Sequence, residues 1–223
     1  MIASGSKPRS LQPLGSVAIA LRLYGMPFEH RPWSTFGDAD RIRPYNPLTR
    51  VPTLVLDDAN STAVLINGAI GTGVSEVEID RRTLTSDKGN GATRLEASHN
   101  GYEARYGLTH RRILILRDDG TELRGEDLLL PKGKGKRGKV GFAIRFHLGA
   151  GIDVALSDDR QGAGLALGDG SYWQFRSGSG EITLEDSIWA EEQGRPVATH
   201  QLVIQGLVSR GGGNFAWLLK KMG

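Results

Sequence analysis

"HRRILILRDDGTELRGEDLLL", His110 to Leu130, decides what kind of fold this chain takes. Two apolar-rich runs flank Asp119-Gly120, a dipeptide suited to the positive φ of a tight turn, so the stretch reads as a β-hairpin. Working outward, "EVEIDRRTL" (76–84) alternates with period two, and "GLALGDGSYWQF" (164–175) makes a second hairpin around Gly168-Asp169-Gly170. "VGFAIRFHL" (140–148), "EITLEDSIW" (181–189), "THQLVIQGLV" (199–208) and "NFAWLLKKM" (214–222) supply further strands. About nine strands are expected from Val74 onward, with no convincing helix. The expected fold class is mainly β, an antiparallel sandwich-like domain. "INGAIGTGVSE" (66–76) reads as a loop between strands, since its glycines do not match a phosphate-binding pattern ahead of a helix.

The amino-terminal part has a different texture. "SVAIALRLYG" (16–25) has helical spacing and stops at a glycine, "PFEHRPW" (27–33) reads as a short strand, "GDADRIRPYNP" (37–47) as a second helical or turn segment, and "VPTLVLDD" (51–58) as a buried strand. That order is helix–strand–helix–strand. The expected division is a truncated α/β segment over 1–52 and the β-domain over 53–223.

Composition narrows the chemistry. With no cysteine, the chain has no disulfide, thiolate metal site or cysteine nucleophile. No apolar run reaches the ~18 residues of a membrane span, so no membrane partner is expected. "MIASGSKPRSLQPLGS" lacks the apolar core of a secretion signal, and no export is expected; the compartment stays open. The five histidines show no ligand spacing, so neither metal nor cofactor is expected. "KGKGKRGK" (132–139) concentrates positive charge on a chain of net charge +3, but its glycines and lack of stacking aromatics favour a solvated loop over a nucleic-acid contact.

The candidate binding residues cluster in "EASHNGYEARYGLTHRRILIL" (96–116). On a strand, His110 and Arg112 share a face that Arg111 does not. One reading has His99, Tyr102, His110 and Arg112 lining a cleft, the guanidinium forking onto a carboxylate or sulfate. The other makes them a turn-stabilising network and a solvated strand. His147 is either a further polar contact of that cleft or an outer-face histidine. Glu126-Asp127 and Glu185-Asp186 cannot act as glycosidase pairs, because adjacent strand residues face opposite sides. Trp173, Trp189 and Trp217 are read as core or sheet-face residues.

Taken in order, "ANSTAVLINGAIGTGVSEVEIDRR", "LEASHNGYEARYGLTHRRILIL", "GTELRGEDLL", "FAIRFHL", "DGSYWQFRSGSGEITLEDSIW" and "ATHQLVIQGLV" closely resemble the C-terminal β-domain of the heparinase II/III-like proteins, over about residues 53–223. The resemblance implies a β-sandwich that follows a helical toroid in a lyase. Such enzymes cleave anionic, uronate-containing polysaccharides by β-elimination, in which a Tyr or His removes the proton beside the carboxylate and donors neutralise the enolate. The family's catalytic histidines lie in motifs upstream. Where one of these places a histidine before Thr-Leu, this chain has Val51-Pro52. The resemblance therefore implies substrate-binding residues (His99, Tyr102, His110, Arg112, His147) and no catalytic ones.

A second, shorter resemblance covers about residues 17–58. Asn46-Pro47 and Val51-Pro52-Thr53-Leu54 are similar to the thioredoxin-like domain of glutathione S-transferases. It implies Val51 and Pro52 as a glutathione-binding pair, although the thiol-activating dipeptide and the helical second domain have no counterpart. Because "VPTLVLDDANST" satisfies both patterns, the expectation is a fusion joined near Arg50–Asn60, with a non-catalytic remnant as a further alternative.

Overall fold

β-Branched, leucine and aromatic residues at every second position let a strand bury one face, and in this chain two sheets bury those faces against each other. The computed structural model describes residues 54–57, 59, 61, 65–66, 69–70, 74–85, 91–133, 137–190 and 196–223. The smaller sheet has the order β1 (Leu54–Leu56), β8 (Lys139–His147), β13 (Pro196–Ser209) and β12 (Ile182–Ala190). The larger runs β4 (Val77–Thr85), β5 (Gly91–His99), β6 (Leu108–Arg117), β7 (Glu122–Pro131), β14 (Gly213–Met222), β11 (Tyr172–Ser177), β10 (Gly162–Ala166) and β9 (Asp153–Leu156). All these pairs are antiparallel.

The core lies between the sheets. Phe142 meets Phe215 at 4.1 Å between ring centroids, and Phe146 meets Phe175 at 4.7 Å and Trp217 edge-on at 5.3 Å. Around them Leu54, Leu56, Ile144, Leu202 and Ile204 of the smaller sheet are fully covered. Trp173 and Trp217 are core residues; the side chain of Trp189 lies outside the described set.

Both expected hairpins form. Gly120 (φ 69) closes one by donating to Arg117 O at 2.9 Å, and Gly170 (φ 80) closes the other on Leu167 O at 2.9 Å. Three features differ from the sequence reading. β5 and β9 are additional strands: "GATRLEASH" carries polar residues at both parities, and "DVAL" is too short to show a period. A one-turn helix, α1 (Glu103–Tyr106), interrupts the run before β6 and ends at Gly107 (φ 71). The glycine-rich segment read as a loop contains a two-stranded ladder, β2 (Leu65–Ile66) with β3 (Ala69–Ile70).

The buried strand expected within "VPTLVLDD" exists as β1, which pairs with β8 inside the sandwich. The remainder of the thioredoxin-like segment, Val51 and Pro52 included, lies outside the described residues.

Among the described residues, nothing of the smaller sheet covers the β4 end of the inner face of the larger one. Val77 and Ile79 pair with His99 and Ala97 and so share that inner face, yet they are 61% and 53% exposed. The β4 flank is therefore open.

Candidate functional site

Register brings four of the five candidates together. Antiparallel pairing sets His99 opposite His110 and Arg112 opposite Asp127. Period-two alternation then points all four side chains to the inner face, whereas Arg111 projects outward and pairs with Glu96. Tyr102 stands just before α1, with its ring 5.6 Å from that of His99 and 6.4 Å from that of His110.

Asp127 is the hub. It is completely buried, and a buried carboxylate is tolerable only with charged or hydrogen-bonding partners. Arg112 Nε donates to Oδ1 at 2.7 Å, His110 Nε2 to the same oxygen at 2.8 Å, and Trp217 Nε1 to Oδ2 at 3.1 Å. Burial disfavours its charge, but the Arg112 guanidinium and the His110 bond outweigh burial and hold the carboxyl well below the usual carboxylate range. Gly125 makes this geometry possible. A Cβ there would fall 1.6 Å from Trp217 Cζ2, so the missing side chain lets the indole lie across β7 and reach the carboxylate.

The hydrogen bonds also define the tautomers. The Gly101 amide can only donate, and it meets His99 Nδ1 at 3.2 Å. His99 must then carry its proton on Nε2, which lies 3.0 Å from His110 Nδ1. His110 in turn carries its proton on Nε2 and gives it to Asp127. The result is a one-way chain, Gly101 N–H to His99 to His110 to Asp127, with one proton per link. A second proton on His99 would collide with the Gly101 amide. Burial above all, with His110 beside it and the Arg112 charge nearby, accordingly pulls its pKa down to about 4.

Two hydroxyls tie this array to the opposite sheet. Tyr102 donates to Leu54 O and Tyr106 to Leu56 O at 2.8 Å, so both rings of the α1 region hold β1. Burial, the dominant influence, pushes the Tyr102 phenol upward, and at neutral pH it remains a donor.

His147 is elsewhere. It lies on the outer face of the smaller sheet, where its Nδ1 is 2.7 Å from Ser187 Oγ. The sequence reading missed Asp127 as a participant by weighing it only as half of an acid pair. The available signal was an acid embedded in "EDLLL" on a strand opposite His110 and Arg112. Among the described residues no group of three His, Asp or Glu is arranged to hold a metal ion.

The chain matches the family described as heparinase II/III-like, C-terminal, over residues 33–218. It belongs to that family. The match begins inside the segment assigned by resemblance to a transferase and runs unbroken across Arg50–Asn60, so neither the transferase reading nor a junction there gains support. Among curated proteins, FtsZ-localized protein C of Caulobacter vibrioides is 28% identical over 151 residues, which is 59% of this chain and 26% of that protein. Among solved structures, the heparan sulfate lyase HepC of Pedobacter heparinus superimposes with TM-score 0.57 at 13% identity, over 77% of this chain and 24% of the lyase. A heparinase III gene product gives TM-score 0.52 at 13% identity, over 78% of this chain and 24% of its own. These similarities establish the sandwich as the family's fold. The chain spans about a quarter of the length of these relatives.

Proposed function

We propose that this chain is the β-domain of a protein acting on anionic, uronate-containing polysaccharides, and that it binds the polymer rather than cleaving it. The observation carrying this reading is the position of His99. It is the partly exposed end of an otherwise buried charged chain, and it borders the open β4 flank of the inner face. Family membership supports the ligand class. In this reading the edge of the His99 ring packs on the polymer and exposed Arg81, on the same face of β4, meets its charge, while Tyr102, His110 and Arg112 keep that edge in place through Asp127 and β1.

Proton abstraction needs a base with a free lone pair, and here both His99 nitrogens and both His110 nitrogens are engaged. β-Elimination by this chain alone is therefore not expected. Titration calorimetry with heparan-type and alginate-type polymers at low salt tests the proposal. Weak binding that weakens as salt rises and falls further in His99→Ala is the expected result. No heat with either polymer at low salt overturns it. Ultraviolet absorbance from an unsaturated uronate product would overturn the non-cleaving part.

A further inference from the structure

One end of the sandwich gathers positive charge from three separate pieces of chain. α1 contributes Arg105, the β7–β8 connection contributes Lys132, Arg137 and Lys139, and the β13–β14 turn contributes Arg210. Backbone bonds hold these pieces together: Arg210 N–H donates to Gly138 O at 3.0 Å, and Lys132 N–H to Gly107 O at 2.9 Å. The Tyr106 ring holds two of the cations, with the guanidinium carbons of Arg105 and Arg210 at 5.2 and 5.7 Å from its centroid. The described acids tied to this end are Glu103, bonded to Lys132 and Thr109, Asp57, which accepts the Gly141 amide at 2.9 Å, and Glu76 near Lys132. Positive charge is in excess.

The shape of this end selects among polyanions. Lys132, Arg137 and Lys139 are exposed, and Gly133 and Gly138 (φ 71 and 106) have no atom within 4 Å of where a Cβ would stand. The described ends of the connection thus have open space beside them, and among the described residues this end offers no exposed aromatic ring for stacking on bases. Leu207, 71% exposed, stands on the same ladder, opposite Gly141 and one same-face step from the Ser209–Lys139 pair. Exposed basic charge spread over three pieces of chain, beside a single exposed leucine, matches a flat anionic surface better than a strand of polymer.

We propose that this end docks on the anionic headgroup surface of a lipid bilayer, with Arg105, Arg137, Lys139 and Arg210 facing the headgroups and Leu207 at their edge. The contact is peripheral and electrostatic, and it is independent of the polysaccharide reading because the open flank at His99 takes no part in it.

Co-sedimentation of the whole 223-residue chain with vesicles tests the proposal. The vesicles are phosphatidylcholine alone, or phosphatidylcholine with about a third phosphatidylglycerol. Binding to the anionic vesicles only, released at about 0.5 M salt, is the expected result. Each cation near such a surface contributes about five-fold in affinity, so Arg137→Glu with Lys139→Glu costs at least about thirty-fold. Leu207→Ser costs a few-fold. The charged side chains are exposed, so thermal unfolding of the double variant stays as in the parent, and Arg137→Lys retains binding. Equal sedimentation with both vesicle types, undiminished vesicle binding by the double variant, or no vesicle binding together with heparin or DNA-duplex capture that the double variant abolishes would overturn the proposal.

Discussion

Two polar arrays, each containing a histidine, are buried in this sandwich by different means. The inner array of His110, Arg112 and Asp127, with His99 at its partly exposed end, lies under the opposing sheet, with Trp217 over it and β1 clamped by Tyr102 and Tyr106. The outer array on the smaller sheet has no sheet above it among the described residues. There Arg145 on β8 reaches over β13 to Glu185 on β12 at 2.5 Å, and His147 reaches over it to Ser187 at 2.7 Å. These two bridges roof Thr199, Gln201 and Val203 of β13, which are buried although they face outward. The opposing sheet removes water from the Asp127 carboxylate completely and leaves Arg112 12% of its side-chain exposure, whereas a roof of side chains leaves the bridging ions wetter: Arg145 and Glu185 keep 28% and 36%. The inner charges should be costly to disturb and the outer ones cheap.

The largest expected effect is therefore Asp127→Leu. It strands the Arg112 guanidinium in the core and deprives His110 and Trp217 of their acceptor, at about 3–5 kcal/mol. Urea unfolding reads this, and a loss below about 1 kcal/mol would mean that the array is better hydrated than its burial indicates. Next is acid lability. His99 is held neutral with a pKa of about 4, against 6.5 for an unconstrained histidine, so the unfolded chain binds more protons between these values. Stability should fall as pH drops from about 6.5 to 4, by up to about 3 kcal/mol, and Asp127 adds a further loss only at lower pH, below the ordinary carboxylate range. His99→Gln should flatten the upper part of the pH–stability curve, and an unchanged curve would assign the acid effect to another group.

Gly125→Ala drives a methyl into the Trp217 indole and should cost about 1–3 kcal/mol, with a change in tryptophan fluorescence as the ring leaves Asp127. At the outer array, His147→Ala loses one hydrogen bond and part of the roof over Gln201, about 1 kcal/mol. Glu185→Ala should cost no more than about 1 kcal/mol, and less at high salt, because both ions of the pair are partly in water. An outer-array loss equal to that of Asp127→Leu would remove the distinction between the two.

Much of the strand content could be read from the chain, because hairpin turns and alternation are local signals. The turns at Gly120 and Gly170 were visible in this way, as was the shared parity of His110 and Arg112. β5 was not, because Arg94, Glu96 and Ser98 on its outer face satisfy one another and the charges of β4 across strands, which no single-strand pattern displays. α1 was hidden for a related reason: one helical turn has too few residues to show a period. His147 could be named as polar, but its strand position alone could not say on which sheet or under which roof it lies.

By itself the sequence determined the antiparallel β architecture, its turns, the absence of cysteine chemistry and the alternation that commits each side chain to one face or the other. Tertiary structure alone decided which faces meet. It put Asp127 of one strand against His110 and Arg112 of the next and left Val77 and Ile79 of β4 exposed, and it used Gly125 as the gap through which Trp217 reaches the carboxylate. The physical reason is that alternation is a property of neighbouring residues, whereas register and sheet-on-sheet coverage arise from contacts between residues far apart in the chain.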